Sequence, residues 1–315
     1  MSQVRKSEGG VEGGWLKRQI ALLEGHRASR EEARAAGGLR GQKARSSAER
    51  LLTRTTSGAI YAVVTLACVF FGPLTTVLLV AAESWLCCSE FFRICRMGGR
   101  MPNESLGLVF ALLFPAAAYL SGIVACALAV LLLLAACACW YVFAPRANVA
   151  DVAVTAFGPL YTSLAFSSVI LIRCIDPGMT GALVTLGVML SVWANDAFAY
   201  FVGSAIGSHK LAPRISPNKS VEGFVGGLVG SVLVWVLLGI FVLTSLPLPV
   251  VALFGLVVGV VGVVGDLFES RLKRGAGVKD SGNVIPGHGG LLDRSDSMLF
   301  GSTAALFLLV LGGVL

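Results

Sequence analysis

Residues 223–265 read GFVGGLVGSVLVWVLLGIFVLTSLPLPVVALFGLVVGVVGVVG and contain no charged side chain. A helix needs about 20 apolar residues to cross the hydrocarbon core of a bilayer, so the run is long enough for two crossings. Pro247 and Pro249 divide it. Proline ends a helix because it lacks an N–H and its ring clashes with the preceding turn. Two spans are expected, about 223–246 and about 250–268, and the chain reads as all-α and membrane-embedded.

Working outward, the same pattern recurs. Of 315 residues, 56% are hydrophobic and only 14% charged, with mean hydropathy +0.81. A soluble domain carries about a quarter charged residues, so this chain cannot clothe itself in a water-facing surface. Residues 57–94 are apolar and interrupted at Gly72-Pro73, and residues 105–144 are again long enough for two spans. Further spans are expected at about 149–172, 180–206 and 298–315. The result is a polytopic transmembrane helical bundle of about nine spans. That count places Arg93, Arg96 and Arg100, the polar loops after 206 and 268, and the N-terminal arm on one side, the cytoplasmic one by the positive-inside rule.

The arm is residues 1–56, and it holds 12 Lys/Arg and 6 Asp/Glu, most of the net charge of +7. A mobile, solvated tail is the simpler reading, although Trp15, Leu16, Ile20 and Leu23 beside Lys17 and Arg18 would also suit one short interfacial helix. No nucleic-acid-reading module accompanies the basic residues, so nucleic acid is not an expected partner. No secretory signal is read at the start, because the first long apolar run begins near Ser57. The eight cysteines include no C-x-x-C pair, which argues against zinc-ribbon or thioredoxin-like chemistry, and most lie in apolar runs as small hydrophobes, so no disulfide framework is implied. Gly203/Gly207, Gly226/Gly230 and Gly255/Gly259 have the spacing that lets helices approach closely in lipid, and are read as packing.

Chemistry is concentrated elsewhere. After residue 56 there are 25 charged residues, and 14 of them fall within 210–222 and 266–296, more than topology requires. If the helix continues past Asp266, then Asp266, Glu269/Ser270 and Lys273 share one face at i, i+3/i+4 and i+7. A carboxylate, a hydroxyl and an ammonium at a membrane boundary suit a metal-bound polyphosphate. Mg²⁺ takes one or two carboxylates plus substrate phosphate oxygens, and cationic side chains neutralise charge during transfer. A snorkelling basic boundary with Glu269–Lys273 as an i,i+4 pair is the plainer alternative, and is preferred for Arg271 alone.

Pro286-Gly287-His288-Gly289-Gly290 is a turn that can present amides to an anion. Asp293-Arg294-x-Asp296 follows. Asp296 is read equally as a cap of the last helix or as a catalytic group, and capping by Asp293 is less expected because it lies further upstream. His288 stays open between ligand, acid/base and loop donor, with phosphate contact or loop structure preferred. Upstream, Asn195 and Asp196 lie inside an apolar span and must face protein or water. Asp196 and Tyr200 share a helix face. Pro213 and Pro217 stiffen the loop that carries Arg214 and Lys219, and Ser220 is half expected to cap the following span.

The run Ser270-x-Leu272-Lys273-Arg274, then Lys279-Asp280-x-Gly282, then Ile285-Pro286-x-His288-Gly289-Gly290-Leu291-x-Asp293-Arg294-x-Asp296 resembles the signature of the phosphatidate cytidylyltransferase (CDP-diacylglycerol synthase) family. Asn195-Asp196 through Lys210-Leu211-Ala212-Pro213-Arg214-Ile215-Ser216-Pro217 and Glu222-Gly223 resembles that family's upstream block. The resemblance covers about 57–315 and leaves the arm unmatched. Ser295 stands where the family usually has an apolar residue or Thr. Asn218 and Ser220-Val221 replace the usual Lys and Thr-Trp. These departures bear on fine substrate contacts, not on the reaction.

The resemblance implies a metal-dependent transfer of CMP from CTP to phosphatidic acid in phospholipid biosynthesis, giving CDP-diacylglycerol and pyrophosphate. Residues 57–315 would then be a transmembrane cytidylyltransferase domain with a polar, cytoplasmic-side active site. It implies Asp266 and Asp293 as carboxylates of a metal centre and, with Lys273, as the catalytic set. Arg274, Lys279 and Arg294 would hold phosphates with Lys273. Asn195, Asp196, Lys219, Ser270, His288 and Gly289 would contact substrate, and Glu222, Glu269, Asp280 and Asp296 would support the site. Mg²⁺ is the implied cofactor, alone or with a second cation. CTP, phosphatidic acid and the bilayer are the implied partners, a homodimer is left open, and the plasma (inner) membrane is the default location. A transporter lined by Asn195 and Asp196 would need paired broken helices in repeated halves, which the sequence does not show. An enzyme consuming CDP-lipids would need an Asp-Gly-x2-Ala-Arg run, which is missing. A related enzyme charging another lipid phosphate stays open.

Overall fold

A computed structural model describes residues 55–282, 284 and 289–314, together with residue 25. The chain divides into two units, Met1–Thr56 and Ser57–Leu315, and the second carries the fold. The arm, read as a solvated tail or alternatively one short interfacial helix, and the turn at 286–288 lie outside the described residues.

Helix α1 (Thr55–Phe71) is followed by α2 (Pro73–Met97) and α3 (Glu104–Phe143). Then come α4 (Val149–Pro159), a π-helical turn (Leu160–Leu164) and α5 (Ala165–Arg173). The second half contains α6 (Met179–Ile206), α7 (Val221–Phe241), α8 (Leu248–Gly275) and α9 (Leu292–Leu311). Among the described residues, six segments are long and apolar enough to cross a membrane: α3, Val149–Arg173, α6, α7, α8 and α9.

The two long apolar stretches of the first half, 57–94 and 105–144, are both broken. The first breaks at Gly72, whose φ of 144° disfavours a side chain, with Pro73 starting α2. The hydroxyls of Thr75 and Thr76 donate to Cys68 O at 2.6 and 3.1 Å, satisfying a carbonyl that the break frees. The second breaks inside α3 at Ser121 and Gly122, the latter at φ 65°, ψ −145°. Helices α1 and α2 fall outside the six, α1 because it is short and α2 because it carries Glu83, Glu90, Arg93 and Arg96.

Small residues let α6, α7 and α8 pack backbone to backbone. A Cβ on Gly227 would lie 2.7 Å from Asn195 O, and one on Gly255 would lie 2.8 Å from Val232 Cα. In lipid such close packing and interhelical hydrogen bonds replace the hydrophobic effect as the force between helices. Ser231 Oγ donates to Gly255 O at 2.8 Å, and Ser168 Oγ to Ser302 Oγ at 2.7 Å between α5 and α9. Phe91, Phe157, Tyr161, Phe268 and Phe300 form an aromatic cluster joining α2, α4, the π turn, α8 and α9, with neighbouring centroids 5.2 to 6.1 Å apart. These rings brace the helices that carry the polar residues.

Two elements differ from expectation. The 207–222 loop folds its middle into an antiparallel hairpin, β1 (Lys210–Ala212) with β2 (Ser216–Ser220), so the chain is not wholly helical. The last helix begins at Leu292, not near 298, because Leu291 and Leu292 find an acceptor for their amides in Glu90 of α2.

Candidate active site

A cavity of about 930 Å³ opens among the ends of α1, α6, α8, α9 and β2. Helix α6 contributes Asp196 and Tyr200, one turn apart on the shared face the spacing predicts. Strand β2 contributes Lys219, α8 Asp266 and Lys273, and α9 Asp293, Arg294 and Asp296. Asp280 reaches it from the segment after α8, and Ser57 and Tyr61 close it from α1.

Two ion-paired rungs cross this cavity. Lys219 Nζ pairs with Asp266 Oδ2, tying the hairpin to α8. Ser270 Oγ donates to Asp266 Oδ1 at 3.3 Å, so the expected stripe on α8 exists and is internally bonded. In the second rung Lys273 Nζ lies 2.6 Å from Glu269 Oε2 and 2.5 Å from Asp293 Oδ1. Glu269 is fully buried, so the pair is no surface snorkel: the ammonium stands on a carboxylate shielded from water. Taking such charges out of water is costly and is tolerated only with close partners.

Asp293 is held on both oxygens. Beyond Lys273, it accepts from Ser281 N at 3.0 Å and Gly290 N at 3.0 Å, both at Oδ2. It lies in the first turn of α9, where an anion complements the exposed amides. Its side chain accepts from Gly290 N, ahead of the helix, and makes no capping hydrogen bond to α9, in keeping with the reading against a cap. Asp296 lies a turn further in, accepts from Ser297 N at 2.7 Å and faces the cavity, so it does not cap the helix. Ser220 does cap α7, accepting from Gly223 N at 3.1 Å.

Other sequence-derived candidates sit apart from the cavity lining. Asn195 is 1% exposed and donates to Gly259 O at 3.4 Å, gluing α6 to α8. Glu222 accepts from Ser208 Oγ at 2.8 Å and contacts His209 Nδ1 at 2.5 Å, closing the base of the hairpin. Arg274 is exposed and donates to Val278 O at 3.2 Å. Lys279 is exposed. Gly289 adopts φ 89° beside Asp293. His288 lies outside the described residues. The sequence reading missed Tyr61, which lines the cavity, and Glu90, which holds α9. A carboxylate inside an apolar helix is the signal that singled out Asp196, and it applied equally to Glu90.

Among the described residues, no three His, Cys, Asp or Glu side chains converge as a ready-made metal site. What the cavity offers is paired lysines, an arginine and carboxylates around a space of nucleotide size at the ends of membrane helices. This defines a membrane-embedded helical protein with a charged cavity.

The chain belongs to the cytidylyltransferase family, which it matches over residues 52–311. It is 46% identical over 155 residues to the phosphatidate cytidylyltransferase of Bacillus subtilis, covering 48% of this chain and 56% of that protein. It is 45% identical over 125 residues to that of Thermotoga maritima, 38% of this chain and 46% of the relative. It is 46% identical over 132 residues to that of Synechocystis, 42% and 45% respectively. Each match thus spans about half of the relative's length.

Proposed function

We propose that this chain transfers the CMP moiety of CTP to phosphatidic acid, giving CDP-diacylglycerol and pyrophosphate. The observation that carries the reading is the pairing of Lys219 with Asp266 and of Lys273 with Asp293, which draws two distant polar segments around one cavity. The names of the relatives support the substrates.

A phosphate oxygen of the lipid attacks the α-phosphorus of CTP, and the bond to the β-phosphate's bridging oxygen breaks as pyrophosphate leaves. Phosphatidate is already anionic near neutral pH, so no strong base is required. Positioning and charge neutralisation dominate. Lys273, fixed by Glu269 and Asp293, and Arg294 hold the nucleotide phosphates; Lys219 leaves Asp266 for an incoming phosphate. Asp196 and Tyr200 face the lipid headgroup.

The residues fit Mg²⁺ through Asp266 better than through Asp293. Asp266 is a quarter exposed and is held by one lysine and one hydroxyl, whereas Asp293 is held by Lys273 and two backbone amides. One or two carboxylates plus substrate phosphates suffice for this ion, and when bound it would neutralise phosphate charge. A second cation is not required by this arrangement. In the same reading the breaks in the first half bring the crossings to about nine, the site faces the cytoplasm, and the plasma membrane houses the protein.

The test is turnover of CTP by detergent-purified protein with phosphatidic acid and Mg²⁺, following pyrophosphate and the lipid product together. Lipid- and Mg²⁺-dependent CDP-diacylglycerol is the expected result. No turnover in detergent or in lipid, by folded protein, would overturn it; turnover with another lipid phosphate alone would move the assignment to that acceptor.

A further inference from the structure

Glu90 lies inside α2, is 4% exposed and does not line the cavity. Three donors converge on it: Leu292 N at 2.8 Å, Leu291 N at 3.2 Å and Ser281 Oγ at 3.0 Å. Ser281 lies in the segment that joins α8 to α9, and Leu291 and Leu292 lie where that segment meets α9. Asp293 holds the same two places from the cavity side, through Ser281 N and Gly290 N. Both are therefore clamped between two carboxylates. Glycines make the approach of α2 feasible. A Cβ on Gly282 would lie 2.2 Å from Glu90 Oε1, and one on Gly290 would lie 2.6 Å from Oε2.

The first amides of a helix have no acceptor within it. Helix α9 begins at Leu292, and the residue at its N-cap, Leu291, makes no side-chain cap, so the acceptor for the Leu292 amide comes from a residue 202 positions earlier in the chain. A carboxylate there also complements the positive end of the helix dipole.

We propose that Glu90 is a positioning residue for the transfer: by capping α9 from α2 and holding Ser281, it fixes the register in which Asp293, Arg294 and Asp296 meet the cavity. This rests on the cytidylyl-transfer reading. Both oxygens accept, Oε1 from Leu291 and Oε2 from Ser281 and Leu292. Glutamine has the same shape but must turn an NH₂ toward one of these donors, leaving a buried amide without an acceptor. Misplacing reacting groups by about 1 Å costs on the order of 100-fold in rate.

The experiment compares wild-type protein with Glu90→Gln and Ser281→Ala in detergent, by hydrogen exchange over 289–296, thermal melting, and kcat and KM for CTP. Glu90→Gln should melt within a few degrees of wild type. Its Leu291 and Leu292 amides should exchange at least about 10-fold faster, and kcat should fall on the order of 100-fold with KM changed less than about 2-fold. Ser281→Ala, losing one donor of three, should shift exchange and kcat in the same direction by about 3- to 10-fold, and it carries the test if Glu90→Gln does not fold. Unchanged exchange, or faster exchange with wild-type kcat per folded molecule, would overturn the proposal. The exchange arm needs no substrate, so it reports on the clamp even if wild-type protein makes no CDP-lipid, an outcome that would sink the function reading instead.

Discussion

Lys273 Nζ lies 2.5 Å from Asp293 Oδ1, and this contact joins the end of α8 to the start of α9 beneath the cavity. The same ammonium rests 2.6 Å from the buried carboxylate of Glu269. One cation thus organises two helices, and in the proposed reaction it would present charge to a phosphate.

Lys273→Met should abolish measurable turnover and also destabilise the fold, because Glu269 is left buried without its counter-charge. Breaking one side of a buried pair costs about 3–5 kcal/mol. The double variant Lys273→Met/Glu269→Gln should regain most of the lost melting temperature and none of the activity. Melting and turnover measured side by side separate the two roles, and recovery of activity in the double variant would contradict the phosphate-binding role.

Asp266→Asn should lower kcat on the order of 100-fold and raise the Mg²⁺ concentration needed for half-maximal rate. Because the pair with Lys219 is a quarter exposed on both sides, stability should change by less than about 1 kcal/mol. Titration of turnover against Mg²⁺ is the check. Wild-type rate and metal dependence would remove Asp266 from the site.

Asn195→Ala should leave KM for CTP unchanged and lower the melting temperature slightly. Its side chain bonds α8 rather than the cavity, and interhelical hydrogen bonds in membranes average about 0.6 kcal/mol. A several-fold rise in KM would return Asn195 to the substrate contacts implied by the sequence resemblance.

Gly227→Leu should prevent α7 from seating on α6, since even a Cβ would stand 2.7 Å from Asn195 O. Overpacking of this kind typically costs about 1–3 kcal/mol or more. Gly275→Ala, where an added Cβ meets nothing within 4 Å, is the matched control and should be neutral. Size-exclusion profiles and melting curves compare the two.

Much of this was legible in the chain itself. Hydropathy runs and prolines located the helices and the break at Gly72-Pro73, because both are local properties of about 20 residues. The spacing of Asp266, Ser270 and Lys273 foretold their shared face, since helical periodicity is also local. Asn195 and Asp196 are adjacent, yet one bonds Gly259 and the other faces the cavity. Sequence fixed their cost in lipid and not their direction, which depends on which neighbouring helix each meets.

By itself, then, the sequence determined a membrane-spanning helical chain with a family signature and two polar segments. Only the tertiary structure decided that Lys219 pairs with Asp266, that both Asp293 oxygens are occupied, and that Glu90 caps a helix 202 residues away. The reason is physical: hydropathy and periodicity follow from nearest neighbours along the chain. The partners of a buried charge are set by how glycine-lined helices pack, and packing joins residues that the sequence keeps far apart.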